Sequence, residues 1–169
     1  MANLGSTRAF LPILDDAGLV REILVAVAGP GIGCAIVMAG GEGRRLGEKT
    51  RSTPKPLLLV DDKPILEHVL ASLETAGVAQ IFVTVHYLGE QIEKYLANRD
   101  SRAQIDVVWE PAPLGTAGAL GILDGRAPRE PMLVVNGDIV TGVDFAALHE
   151  FHTRHGFDGT AAVTRFDVD

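Results

Sequence analysis

Val37-Met38-Ala39-Gly40-Gly41-Glu42-Gly43-Arg44-Arg45-Leu46, followed after a short polar stretch by Pro54-Lys55-Pro56, joins an apolar run (Cys34 to Ala39) to a glycine-rich, cationic loop. A buried strand that opens into such a loop brings backbone N–H groups and positive side chains up to phosphates. Gly40, Gly41 and Gly43 carry no Cβ, so the chain can turn sharply and its amides can touch a ligand. Arg45 offers a fork of donors to phosphate oxygens, and Lys55 a compact point charge between two stiffening prolines. The pattern is not a P-loop, because no Gly-x-x-x-x-Gly-Lys-Ser/Thr occurs. Nor is it the dinucleotide fingerprint, since Leu46 stands where the last glycine belongs. The glycine cluster alone is equally compatible with an ordinary strand-to-loop turn carrying solvated arginines.

Outward from the loop, strand and helix alternate. Pro64 to Ala76 places Ile65, Leu66, Val69, Leu70 and Leu73 on one helical face, with Gly77 after its end. Ile81–Val85 reads as a strand, Glu90–Leu96 as a short amphipathic helix, and Ile105–Trp109 as a strand. Gly115–Leu123 reads as a helix, Met132–Val135 as a buried strand, Ala146–His155 as a helix, and Ala161–Arg165 as extended. Such alternation implies an α/β fold with a mostly parallel sheet and ligands at the carboxyl ends of the strands. The chemically loaded residues do follow strands. Gly40 to Lys55 follows the first of them, Glu110 and Pro113-Leu114-Gly115-Thr116-Ala117-Gly118 follow Ile105–Trp109, and Asn136-Gly137-Asp138 follows Met132–Val135.

Asp138, a carboxylate at a strand's carboxyl end, is a natural ligand for Mg²⁺, which prefers oxygen donors and phosphate partners. Asn-Gly-Asp is also strong turn chemistry, and that reading stands beside it. Gly115 to Gly118 is glycine-punctuated at a helix start, with Thr116 as the expected cap.

The chain has 169 residues, 47% hydrophobic and 22% charged, enough for one folded domain with a good core. A net charge of −7, with no basic run or basic-aromatic patch, argues against nucleic acid as a partner. Cys34 is the only cysteine, which excludes a disulfide framework and a cysteine metal site. His149, His152 and His155 recur at three-residue steps on a helix. Metal ligation is one reading of that spacing and a histidine-bearing helix surface the other. Ile23 to Gly41 lacks charge over a length that raises a membrane span, but Gly29-Pro30-Gly31-Ile32-Gly33 breaks it in two. The chain therefore reads as cytoplasmic, with no membrane partner.

With these blocks in view, the chain resembles the nucleoside-diphosphate-sugar pyrophosphorylases, which are sugar-1-phosphate nucleotidyltransferases. The resemblance rests on Ala39 to Leu46 with Pro54-Lys55-Pro56, and on Leu57 to Leu70. It continues at Val85-His86-Tyr87-Leu88, at Glu110 to Leu120, and at Asn136-Gly137-Asp138, all in the family's order. One departure is Glu48, where many members have a proline.

The resemblance implies a Rossmann-like, doubly wound fold and transfer of a nucleotide from a nucleoside triphosphate to a sugar-1-phosphate, giving an NDP-sugar and pyrophosphate with Mg²⁺ as cofactor. It implies catalytic roles for Arg45, Lys55 and Asp138, with Asp138 holding the metal. Ala39, Gly40, Gly41, Gly43, Glu110, Gly115, Thr116 and Ala117 would bind the nucleotide, the 115–118 loop packing against the base.

The expected division is residues 1–32 as an N-terminal extension and 33–169 as a partial catalytic domain whose C-terminal part is missing. Phe10 to Val25 resembles the end of a CBS module, and a plain hairpin extension reads equally well. A catalytically silent nucleotide-binding or regulatory module of the same fold is the alternative to the enzyme. A sheet cut short exposes apolar surface of the kind that drives homo-oligomer formation.

Overall fold

The computed structural model describes residues 25–27, 32–41, 43, 50–123, 126 and 131–163. The run from Cys34 folds as strand β2 (Cys34–Met38), preceded by β1 (Val25–Val27). A two-residue-per-strand hairpin follows, β3 (Leu59–Val60) and β4 (Lys63–Pro64). Asp61 and Asp62 form its turn with φ of +49° and +61°, the left-handed pair that a tight hairpin requires. Then come α1 (Ile65–Thr75), β5 (Gln80–Val85), α2 (Gly89–Ala97) and β6 (Gln104–Trp109). The order closes with α3 (Gly115–Ile122), β7 (Met132–Asn136), α4 (Phe145–His155) and β8 (Thr160–Ala161).

The main sheet runs β6-β5-β2-β7-β1-β8. The first four strands are mutually parallel, with Cys34 opposite both Gln80 and Met132. This is the mostly parallel α/β sheet that the alternation implies. β1 departs from the parallel pattern. It lies between β7 and β8 and pairs antiparallel with both. Val25, at the edge of the CBS-like stretch, is therefore part of this sheet, whereas Phe10 to Leu24 lie outside the described residues.

β2 is buried on both faces, and its period-two alternation divides the core. Ala35 and Val37 face Leu66, Val69, Leu70 and Leu73 of α1, Ile92 of α2 and Phe145 of α4. Cys34 and Ile36, with Phe82 and Val134, face Ala119 of α3 and Leu123. Helices thus cover both faces, as strands this apolar demand. Leu66, Leu70 and Leu73 are fully buried. At roughly 1.5–3 kcal/mol for each such side chain, packing and not capping holds α1, whose cap residue Pro64 makes no side-chain bond. The uncharged stretch feared as a membrane span ends in this central strand, and no described helix is long and apolar enough to cross a membrane.

Two expectations on the helices need correction. α3 begins at Gly115 with Leu114 at its cap position and no side-chain cap, so Thr116 falls inside the first turn. On α4, His149 and His152 are buried, not surface residues. They continue the Phe145 stripe at helical spacing. His152 Nδ1 lies 3.0 Å from Thr160 Oγ1 while its Nε2 has no hydrogen-bond partner, and burial, aided by His149, pushes its pKa down. The metal reading of this stripe finds no support: no group of three His, Cys, Asp or Glu among the described residues could hold a metal.

Candidate functional site

The four parallel strands end on one rim, and the ladder continues past their nominal ends. Ala39 N–H donates to Thr84 O at 2.9 Å, Glu110 N–H to Val85 O at 2.9 Å, and Gly137 N–H to Met38 O at 2.8 Å. The residues immediately after β2, β6 and β7 are thereby held as firmly as the strands. Above them opens a cavity of about 330 Å³ lined by Met38, Ala39, Gly40, Gly41, Gly43, Lys55, Pro56, Glu110, Pro113, Gly115, Asn136 and Asp138. Its size is within the usual range for small-ligand sites. Of the residues singled out from sequence, Ala39, Gly40, Gly41, Gly43, Lys55, Glu110, Gly115 and Asp138 are brought together there. Thr116 and Ala117 follow Gly115 in the first turn of α3, and Arg45 lies outside the described residues.

The loop closes tightly on the cation. Gly43 has φ +62°, and a Cβ there would lie 3.1 Å from Thr50 Cγ2 and 3.3 Å from Lys55 Cβ. A side chain at this position would be strained by its backbone and crowded by its neighbours. Thr50, itself buried, donates its hydroxyl to Gly43 O at 3.1 Å. Lys55 then opens a single 3-10 turn, Lys55–Leu57, entered from the extended Pro54. Tyr87 O–H donates to Arg51 O (3.2 Å) and Gln91 Nε2 to Ser52 O (2.9 Å), which tether the segment leading to Lys55. His86 Nδ1–H donates to Glu110 O at 3.1 Å. No local signal in the sequence marks Thr50 or Gln91 for these tasks; Tyr87 and His86 stand out there only within the Val85-His86-Tyr87-Leu88 block of the resemblance.

Lys55 Nζ donates to Asp138 Oδ2 at 2.6 Å across 83 positions of sequence. Both side chains are about a third exposed (31% and 35%), so the pair is worth about 0–1 kcal/mol and yields readily to a more strongly charged partner. Glu110, by contrast, is buried at 8% exposure. Its Oε2 accepts from Leu114 N–H at 3.3 Å, and a Cβ on Gly40 would sit 2.9 Å from its Oε1. The missing Cβ at Gly40 is what lets this carboxylate lie against the loop. The cavity therefore offers a partly solvated cation-carboxylate pair, a glycine-lined floor and a buried acceptor.

A family model for nucleotidyl transferases matches residues 34–169. The chain belongs to that family. Among its relatives, the Drosophila melanogaster "Mannose-1-phosphate guanylyltransferase catalytic subunit beta" is 39% identical over 137 residues, 79% of this chain and 37% of that protein. The Xenopus laevis "Mannose-1-phosphate guanyltransferase beta-B" is 36% identical over 79% of this chain and 38% of that protein. The chain spans a little over a third of the length of these relatives. HddC from Yersinia pseudotuberculosis, solved as a complex with GMP-PN, superposes with a TM-score of 0.62 at 26% identity, over 71% of this chain and 54% of that one. A UDP-glucose pyrophosphorylase complexed with UDP-glucose, at 17% identity and TM-score 0.64 over 75% of this chain and 55% of its own, shares the fold.

Proposed function

We propose that this chain carries the triphosphate-binding centre of an enzyme that joins a nucleoside triphosphate to a sugar-1-phosphate, releasing pyrophosphate. The observation that carries the reading is the Lys55–Asp138 pair, set on the rim beside the glycine loop in the family's motif positions. The names of the relatives favour GTP and mannose 1-phosphate as the substrates, metabolites of the cytoplasm.

In this reading the sugar phosphate oxygen attacks the α-phosphorus in line, the bond to the bridging oxygen breaks, and pyrophosphate leaves with that electron pair. No covalent nucleophile of the protein is needed. The protein must hold two mutually repelling anions in line and neutralise the charge that builds up. Lys55 exchanges Asp138 for phosphate oxygens, the amides of Gly40 to Gly43 face the phosphates, and Arg45 clamps the pyrophosphate end. The residues fit Mg²⁺. That ion takes one or two carboxylates and completes its shell with phosphates and water, which suits a lone Asp138 better than an all-protein cage. Bound there, it would supply charge neutralisation at the phosphates. Gly115, Thr116 and Ala117 border the base.

Mixing the protein with GTP, mannose 1-phosphate and Mg²⁺ and following pyrophosphate tests the reading. Release that falls by about a hundredfold or more in Lys55→Ala and Asp138→Ala is expected, a loss typical of a missing charge-stabilising group. Binding of GTP without release would assign this chain nucleotide binding alone, and release unaffected by either substitution would refute the site.

A further inference from the structure

We propose that Tyr87 and Gln91, at the start of α2, are positioning residues for Lys55, an inference that rests on the nucleotide-site reading above. Lys55 follows residues 51–54, which form neither helix nor strand. A misplacement of about 1 Å at a reacting centre can cost a hundredfold in rate, so the path of that segment matters. Downstream, the 3-10 turn fixes it: Leu57 N–H donates to Pro54 O at 2.9 Å and Leu58 N–H to Lys55 O at 3.0 Å. Upstream, the grip comes from another element.

Tyr87 lies just before α2 and Gln91 in its first turn. Their side chains reach two consecutive carbonyls, Arg51 O at 3.2 Å and Ser52 O at 2.9 Å, across 36 and 39 positions of sequence. Donors on neighbouring peptide units fix the direction of the chain as well as its place, whereas a single bond would let it swivel. The base they stand on is firm. Leu88 turns in the left-handed region (φ +52°), and Gly89 N–H donates to His86 O at 3.3 Å. Gly89 sits so close to β6 that a Cβ there would lie 2.6 Å from Trp109 Cη2, and Ile92 is fully buried in the core. At the head of the same segment, the Thr50 hydroxyl holds Gly43 O. One chain of contacts thus runs from α2 through the segment to the glycine loop. It sets the spacing between Lys55 and the loop amides, which must grip the same triphosphate.

A surface staple that merely steadies the segment is the competing role. Both hydrogen bonds are exposed, so they contribute little to folding, and the two roles separate in binding. Tyr87→Phe/Gln91→Met removes both donors and nearly keeps side-chain size. Calorimetry with GTP and Mg²⁺ would compare the wild type, this double variant, Lys55→Ala and the triple variant, each with its urea midpoint measured.

The double variant should bind GTP about fivefold or more weakly than the wild type, with a midpoint close to the wild-type one. The same two changes added to Lys55→Ala should cost under about twofold, because no ammonium is left to place. A plain staple would cost as much in the Lys55→Ala background as in the wild type. That result, or wild-type affinity in the double variant, overturns the assignment while leaving the site intact. Failure of the folded wild type to bind GTP, or wild-type affinity in Lys55→Ala, overturns both the site and the assignment.

Discussion

Replacing Arg99 with methionine should unfold more of the protein than any change at the site. The Arg99 side chain is 7% exposed and holds two carboxylates of α1 at once. It donates to Glu67 at 2.8 and 3.0 Å and to Glu74 at 2.6 and 3.0 Å. Tyr95 O–H also donates to Glu67 (2.5 Å), and Ser101 Oγ to Glu74 (2.7 Å). The Arg99 hydrogen bonds, working against burial, hold the Glu74 carboxyl at about 2 against an ordinary 4.5, and Glu67 is also lowered, its burial outweighed by Arg99 and Tyr95. The Glu74 displacement alone corresponds to about 3 kcal/mol, in line with the ~3–5 kcal/mol typical of stranding a buried charge.

The folded-state pKa of Glu74 is depressed, so its contribution is full above the unfolded value and is lost as pH falls from 4.5 toward about 2. Urea unfolding of wild type and Arg99→Met should therefore differ by about 3 kcal/mol or more near neutral pH, and by clearly less near pH ~3. A difference under about 1 kcal/mol near neutrality, the range of a surface pair, or one unchanged by acid, would refute the reasoning.

Gly137→Ala would place a Cβ 3.1 Å from Ala39 Cβ, Met38 O and Val37 Cγ1, prising β7 from β2 directly beneath Asp138; a loss of about 1–3 kcal/mol in denaturation is expected, and wild-type stability would contradict it. Gly40→Ala meets the far end of the flexible Glu110 side chain at 2.9 Å, on the wall of the cavity, so stability should hold while calorimetry reads weaker GTP binding; unchanged binding would contradict it. Asp144 caps α4 by accepting from Ala147 N–H at 2.9 Å, and Asp144→Ala should cost about 1 kcal/mol, read in hydrogen exchange at the start of α4. Lys55→Ala should change stability by less than about 1 kcal/mol, because its pair with Asp138 is partly solvated.

The parts of the fold visible in the sequence were those set by local pattern. The Leu66-Val69-Leu70-Leu73 spacing specified α1, and the uncharged runs before Gly40 and Asn136 specified two central strands. Position after a strand then sufficed to gather Lys55, Glu110 and Asp138 on one rim, because parallel strands share a carboxyl end. Long-range choices left no such trace. Nothing local in Val25–Val27 says that it pairs antiparallel between β7 and β8, a position decided by competition among strands.

The Arg99 network joins α1 to the end of α2 and is equally silent in sequence. His149 and His152 misled because they were read by residue type, while their spacing from Phe145 already put them on the buried stripe. The left-handed turn at Asp61-Asp62 was legible in hindsight from aspartate's tolerance of positive φ, but no apolar alternation long enough to signal a strand flanks it.

Calorimetric titration of GTP with Mg²⁺ into wild type, Lys55→Ala and Asp138→Ala, each shown folded by its unfolding transition, tests the central claim most directly. The account predicts one saturable site in the wild type and affinities about tenfold or more lower in both variants, the scale of one lost charge-assisted hydrogen bond. Equal binding by all three proteins, or no binding by the folded wild type, would contradict it.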